Sequence, residues 1–233
     1  MTSPTVFEFH PERVRAAVFD LGGVLFEGGP REVMAFGTRV GVKPEEWAEL
    51  RREVFGNNGT WARLERGECS FAHFLEELRH HVHSAGGRAT IEEAAAFMGA
   101  SDPLSRRSVV REQMIEAVLS LREVMQTALL TNNVREWRAG WQTVLDTEAL
   151  FDVVIDSSQV GARKPETKIY EITRTALGVN HDEIFFIDDI GQNLKAARAL
   201  GWQTYLFREE PDALRVLQRL YRAHERPSRH VRP

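Results

Sequence analysis

The sequence predicts an α/β fold: a doubly wound parallel sheet with an all-helical cap inserted after its first strand. Three observations carry that prediction. From about Thr127 onward, short apolar runs alternate with amphipathic helical stretches, the pattern of successive βαβ units. Between the first apolar run, Ala16 to Phe19, and that alternation, the periodicity is helical, with no convincing strand. Several runs end in a polar or acidic residue, as do strands whose carboxyl ends form the ligand-binding rim of an open parallel sheet. The expected division is a core of residues 1–26 and 121–233 and a cap of residues 27–120.

Taken in order, Met1 to Arg15 is a polar lead-in with prolines and charges, lacking the apolar centre of a signal segment. Ala16 to Phe19 is bounded by charge and glycine and reads as a buried strand. Asp20 ends it, and Gly22 and Gly23 let the backbone turn sharply and come close to a ligand. In the cap, Glu32 to Val40 reads as a helix stopped by Gly41. Pro44-Glu45-Glu46-Trp47 opens a second, with a proline and acids suited to a first turn. Gly67-Glu68-Cys69-Ser70 reads as a turn with Ser70 as N-cap. Phe71, Phe74, Leu75, Leu78 and Val82 then recur along one helical face. Ala85-Gly86-Gly87 ends that helix, Thr90-Ile91-Glu92-Glu93 has the form of a capping box, and Ser108 to Arg122 is the last long helix of the insertion. Strands are then expected from Thr127 to Leu130, Phe151 to Ile155, Glu183 to Ile187 and Trp202 to Phe207. Helices are expected from Val134 to Leu145, from the Lys164-Pro165-Glu166 lead-in to Leu177, from Gly191 to Leu200 and from Pro211 to Ala223. His224 to Pro233 reads as a frayed basic end.

A hydrophobic content of 42% and a charged content of 27% suit a globular protein. The formal net charge of −4 offers no general basic surface to nucleic acid or anionic membrane. Cys69 is the only cysteine, so no internal disulfide can form, consistent with a reducing compartment. No apolar run reaches the roughly 18 residues of a membrane span. The expectation is a cytoplasmic protein, monomer or homodimer, with neither nucleic acid nor membrane as partner.

The chemistry is read from strand ends. Asp20, Thr131 with Asn132, Lys164, and Asp188 with Asp189 all fall at or just beyond the carboxyl ends of expected strands, and a right-handed doubly wound sheet brings those ends to one rim. Three carboxylates within ~4 Å would repel by roughly 4 kcal/mol per pair at an effective dielectric of 20. A divalent cation and Lys164 would turn that repulsion into attraction. A few hard oxygen ligands, with positions left for water and phosphate, describe Mg2+ better than Zn2+. Asp20 is then the candidate nucleophile and a metal ligand, Thr131 and Asn132 the candidate phosphate-binding groups, and Lys164 the charge-balancing group on nucleophile and phosphoryl.

Four segments carry these residues: Phe19-Asp20-Leu21-Gly22-Gly23-Val24-Leu25, Leu129-Leu130-Thr131-Asn132-Asn133, Gly161-Ala162-Arg163-Lys164-Pro165-Glu166, and Phe186-Ile187-Asp188-Asp189-Ile190-Gly191-Gln192-Asn193. In order and spacing the chain resembles a haloacid dehalogenase superfamily phosphatase over nearly its whole length. With Ser158-Gln159-Val160-Gly161 and Asp188-Asp189-Ile190-Gly191 it resembles the amino-terminal phosphatase domain of soluble epoxide hydrolases. As the chain ends at Pro233, the epoxide-hydrolysing domain is expected to be absent.

The resemblance implies an aspartyl-phosphate on Asp20, catalytic roles for Thr131, Lys164 and Asp188, Mg2+ on Asp20, the Gly22 carbonyl and Asp189, and Asn193 in support. It implies a helical cap with a loop that enters the site, matched by Leu64-Glu65-Arg66-Gly67-Glu68. One departure matters. The family pattern has a second Asp two residues after the nucleophile, as general acid and base; Gly22 keeps the carbonyl and drops the acid. Glu68 and His73 are the cap residues that could replace it.

The expected function is Mg2+-dependent hydrolysis of a small phosphorylated metabolite. The alternatives are a 2-haloacid dehalogenase, against which Asp188-Asp189 argues, and a non-catalytic binder of phosphorylated ligands or a partner. The histidine-rich stretch His73, His80, His81 and His83 reads as a solvated helix face, because no further ligand completes a metal set. Gly29-Pro30 stands where a phosphate loop needs Lys-Ser/Thr, and no dinucleotide-binding glycine pattern is present. Trp137 and Trp141 read as packing residues on one helical face.

Overall fold

The computed structural model describes residues 9–27, 36–97 and 110–225. Five strands, β1 (Ala16–Phe19), β2 (Gln126–Thr131), β3 (Val153–Asp156), β4 (Ile184–Asp188) and β5 (Gln203–Leu206), form one sheet in the order β3-β2-β1-β4-β5. All four pairings are parallel. The chain builds outward from β1 to β3 and then returns to the other side of β1 for β4 and β5. Strand order therefore reverses between β1 and β4, where open α/β sheets bind ligands.

β1 is central and buried at every position, as expected of a short apolar run flanked by two parallel strands. Its alternate residues feed two layers. Ala17 and Phe19 join Leu129, Phe185 and Ile187 on one face, under α5 (Glu112–Arg122) and α11 (Glu210–His224). Ala16 and Val18 join Ala128, Leu130 and Phe186 on the other, under α9 (Thr167–Leu177) and α10 (Gly191–Ala199). That two-sided burial makes the sheet doubly wound.

Between β1 and α5 the chain is helical. Residues 36–39 are helical, followed by α1 (Pro44–Phe55), α2 (Thr60–Glu65), α3 (Phe71–Ser84) and α4 (Ile91–Phe97). They bury an apolar cluster of their own around Phe36, Trp47, Leu64, Phe74, Leu78 and Phe97, which Val134 also joins. Local signals match the sequence: Ser70 Oγ accepts from the His73 N–H at 3.2 Å, and Thr90 and Glu93 cap each other reciprocally at 3.1 and 2.8 Å. The expected helix from Glu32 falls partly outside the described residues, as does the start of the one expected at Ser108.

Four stretches differ from expectation. α5 lies mostly within residues 27–120, yet Met114, Val118 and Leu121 pack into the sheet's cluster. An apolar stripe declares burial but not which core receives it. The stretch from Val134 to Leu145 is not one helix. A 3-10 turn, Arg135–Trp137, precedes α6 (Arg138–Gln142), so the two tryptophans do not share a face. Trp137 packs against the insertion's cluster and Trp141 into the sheet's. Two short helices, α7 (Thr147–Leu150) and α8 (Ser157–Val160), were not foreseen; each has an Asp N-cap, Asp146 and Asp156. Among the described residues, no helix is long and apolar enough to cross a membrane.

Candidate active site

Strand register places the site. Phe19 pairs with Ile187 of β4 and Leu129 of β2, so the next residue, Asp20, emerges level with Asp188, and Thr131 lies one position further along the same rim. The Asp20 N–H donates to the Ile187 carbonyl at 3.0 Å, which extends the ladder to the carboxylate itself.

Lys164 joins these strand ends. Its ammonium donates to Asp20 Oδ1 at 2.7 Å and to Asp188 Oδ2 at 2.8 Å, and it lies 5.5 Å from the centre of the Phe186 ring. The lysine is 1% exposed and Asp188 is fully buried. Buried charges persist only when paired and hydrogen-bonded. Asp188 meets that condition completely: Asn193 Nδ2 donates to both its oxygens at 3.2 and 3.0 Å, and the Ile190 N–H donates to Oδ1 at 2.7 Å. Asn193 is fixed in turn, because its carbonyl accepts from Tyr170 Oη at 2.9 Å. Asp188 is thus occupied in holding Lys164 rather than open to a ligand.

Asp20, Asp188 and Asp189 offer oxygen atoms that all lie within 4.8 Å of one another. Three carboxylates against one ammonium leave two negative charges in surplus. Burial, together with the Asp188 and Asp189 charges, pushes the Asp20 carboxyl from 3.8 up to about 7 despite Lys164. Burial first, then Asp188, also raises Asp189, while the two carboxylates raise Lys164 against its own burial. A divalent cation matches both the surplus and the hard oxygen donors, and the residues present fit Mg2+. Gly23 makes room for this trio. Its φ is +80°, and a Cβ there would stand 2.4 Å from Asp189 Oδ2. Gly22 differs: a Cβ there would meet nothing within 4 Å, which leaves open space two residues after Asp20.

Thr131 ends β2 and is 3% exposed. Asn132 turns its side-chain amide to the backbone of Lys164. Its side-chain oxygen accepts from the Lys164 N–H at 2.8 Å and its Nδ2 donates to the Lys164 carbonyl at 2.9 Å, so the amide clasps the lysine's backbone. Sequence reasoning missed the next layer. Asp156 accepts from Asn133 Nδ2 at 2.8 Å and from Ser158 Oγ at 2.7 Å, and Ser157 Oγ accepts from the Asn133 N–H at 2.9 Å. This buried network fixes the turn after Thr131. The polar run Asp156-Ser157-Ser158 at a strand end was its one visible signal.

The end of α2 and the loop after it reach the same region. Glu65 pairs with Arg163, Arg66 with Glu166, and the Gly67 carbonyl accepts from Arg135. The expected substitute acids are not poised for that task. Glu68 is gripped by Arg66, which holds its carboxyl below the usual range. His73 is half exposed and faces Glu77 on α3.

A family model described as haloacid dehalogenase-like hydrolase matches residues 14–201. The bifunctional epoxide hydrolase 2 of Sus scrofa is 32% identical over 225 residues, covering 89% of this chain but 39% of that protein. A sesquiterpene phosphatase of Aspergillus oryzae is 30% identical over 191 residues, covering 80% of this chain and 86% of the other. A solved enzyme from Bacteroides thetaiotaomicron, in complex with magnesium and inorganic phosphate, superposes with a TM-score of 0.59 at 22% identity, covering 84% of this chain and 96% of that one.

Proposed function

The chain belongs to the haloacid dehalogenase-like hydrolases, and from that premise we propose that it is a phosphatase. On this reading it takes the phosphoryl group of a small phosphorylated metabolite onto Asp20. The observation that carries the proposal is the Lys164 ammonium held between Asp20 and Asp188 with Asp189 alongside. It supports phosphoryl transfer because the surplus negative charge suits a divalent cation and a phosphate together. A metal-free dehalogenation would leave that surplus uncompensated.

Asp20, Asp189 and the Gly22 carbonyl would hold Mg2+, which when bound neutralises the charge gathered by the carboxylates and the substrate. The Asp20 carboxylate attacks phosphorus, and the bond to the leaving oxygen breaks with its electron pair on that oxygen. Thr131 Oγ1 and the Asn132 N–H receive phosphoryl oxygens. Lys164 balances charge on nucleophile and phosphoryl, while Asp188 and Asn132 keep it in place. Water then attacks phosphorus, the bond to Asp20 breaks with its electron pair returning to the carboxylate, and the water's oxygen and protons leave in inorganic phosphate.

With Gly22 in place of an acid, the substrates served best are those whose leaving oxygen needs little protonation: aryl, acyl and anomeric phosphates. We read the helical insertion as a cap that excludes water and selects the substrate, with its boundary near residue 110, since α5 packs on the sheet. Measuring Mg2+-dependent phosphate release tests the function. Asp20→Asn should abolish it with the melting transition retained; release by the variant at wild-type rate contradicts the proposal.

A further inference from the structure

Two ion pairs of opposite sense cross from the end of α2 and the residue after it to the turn that carries Lys164. Glu65 accepts from Arg163 Nε at 2.5 Å, and Arg163 also reaches Asn57 Oδ1 with Nη1 at 3.2 Å. The next residue, Arg66, donates Nη1 to Glu166 Oε1 at 2.9 Å. The insertion thus presents acid then base to a turn that presents base then acid.

The turn itself is closed. The Arg163 N–H donates to Glu166 Oε2 at 3.2 Å, and the Glu166 N–H donates to the Arg163 carbonyl at 2.8 Å. Lys164 is therefore held from two directions. Asn132 grips its backbone from the sheet, and Glu65 and Arg66 grip Arg163 before it and Glu166 two residues after it from the insertion.

The Glu65–Arg163 pair is buried. Glu65 is 6% exposed and Arg163 8%. A buried ion pair is often no more stabilising than an apolar pair of the same size, because both charges lose water. Stability alone does not call for charge at this seam, whereas a fixed register beside the lysine does. Gly67 sets the same register: its φ is +70°, and a Cβ would stand 2.5 Å from the Ser158 carbonyl oxygen, so the loop presses directly on α8.

We propose that Glu65 and Arg66 are positioning residues for Lys164, setting its ammonium between Asp20 and Asp188 only when the insertion is seated on the sheet. The proposal rests on the reading of Asp20 as phosphoryl acceptor. It makes insertion docking a condition of chemistry as well as of specificity.

The experiment measures steady-state hydrolysis of p-nitrophenyl phosphate with Mg2+ by the full chain. Glu65→Gln and Arg66→Ala should each lower kcat by about tenfold or more with KM within about twofold. The more exposed Arg66–Glu166 pair allows a second test that keeps the buried pair intact. Arg66→Glu should lose kcat in the same way, and the swap Arg66→Glu with Glu166→Arg should recover most of it. Unchanged kcat in folded Arg66→Ala, or a swap no better than Arg66→Glu alone, overturns the positioning role while leaving the phosphatase reading intact. No Mg2+-dependent hydrolysis of any phosphate monoester by the wild type overturns that reading, and the proposal with it.

Discussion

Open space at Gly22 gives the sharpest expectation at the scale of one residue. An aspartate fits there without meeting a neighbour at Cβ, and no left-handed backbone stands in its way. Gly22→Asp restores a proton donor beside the leaving oxygen, and general acid help is typically worth about 10²-fold or more. It should raise kcat for an alkyl phosphate by that order while changing an aryl phosphate little. Phosphate release from a matched pair of such esters is the measurement; an equal effect on both contradicts the leaving-group argument. Asp20, Asp188 and Asp189 were legible because they follow apolar runs and strand ends share a rim, and Lys164 because the Gly161-Ala162-Arg163-Lys164-Pro165-Glu166 segment resembles the family's. The amide clasp of Asn132 was not, because a side chain's choice between ligand and neighbouring backbone leaves no periodic trace. Nor was the Glu65–Arg163 pair, which joins residues 98 apart in sequence.

Among elements, the loop between α2 and α3 bears most on function. Gly67→Ala would place a side chain in left-handed backbone, at a cost of about 1–2 kcal/mol, and drive its Cβ toward the Ser158 carbonyl. The expected outcome is a modest fall in melting temperature with a larger relative loss of kcat, because the loop leaves the Lys164 turn before the fold is lost. Calorimetry beside steady-state kinetics checks this; a stability loss with kcat intact would show that the contact is packing alone. The strands and the longer helices were legible from alternation, caps and glycine stops. The short helices α7 and α8 were not, since four residues hold too little periodicity to register. The destination of α5 was hidden for a different reason: its stripe fits either apolar cluster, and only the tertiary fold decides.

For the whole molecule, stability and site charge are linked. Without metal, Asp20 titrates near 7 in the fold against an ordinary value of 3.8. The folded chain then binds that proton more tightly than the unfolded chain, so this group's contribution to stability falls as pH rises from about 4 to about 7. Asp20→Asn removes the titration. Thermal melts in EDTA should find the variant gaining on the wild type across that window. Mg2+ should stabilise the wild type more at about pH 8 than at about pH 5, because its ligands bind deprotonated. A gap independent of pH would contradict burial as the cause. The change of period after β1 was legible in the sequence, but the contacts of the Glu65–Gly67 stretch with Arg163, Glu166 and Ser158 were not, because they are made by single side chains and one glycine. The phosphoryl acceptor itself is tested most directly by acid-quenching the enzyme during turnover of an aryl phosphate with Mg2+ and locating the phosphoryl group by peptide mass spectrometry. The expected result is one phosphoryl group on Asp20, absent from Asp20→Asn. A phosphoryl group on another side chain, or turnover retained by Asp20→Asn, would contradict it.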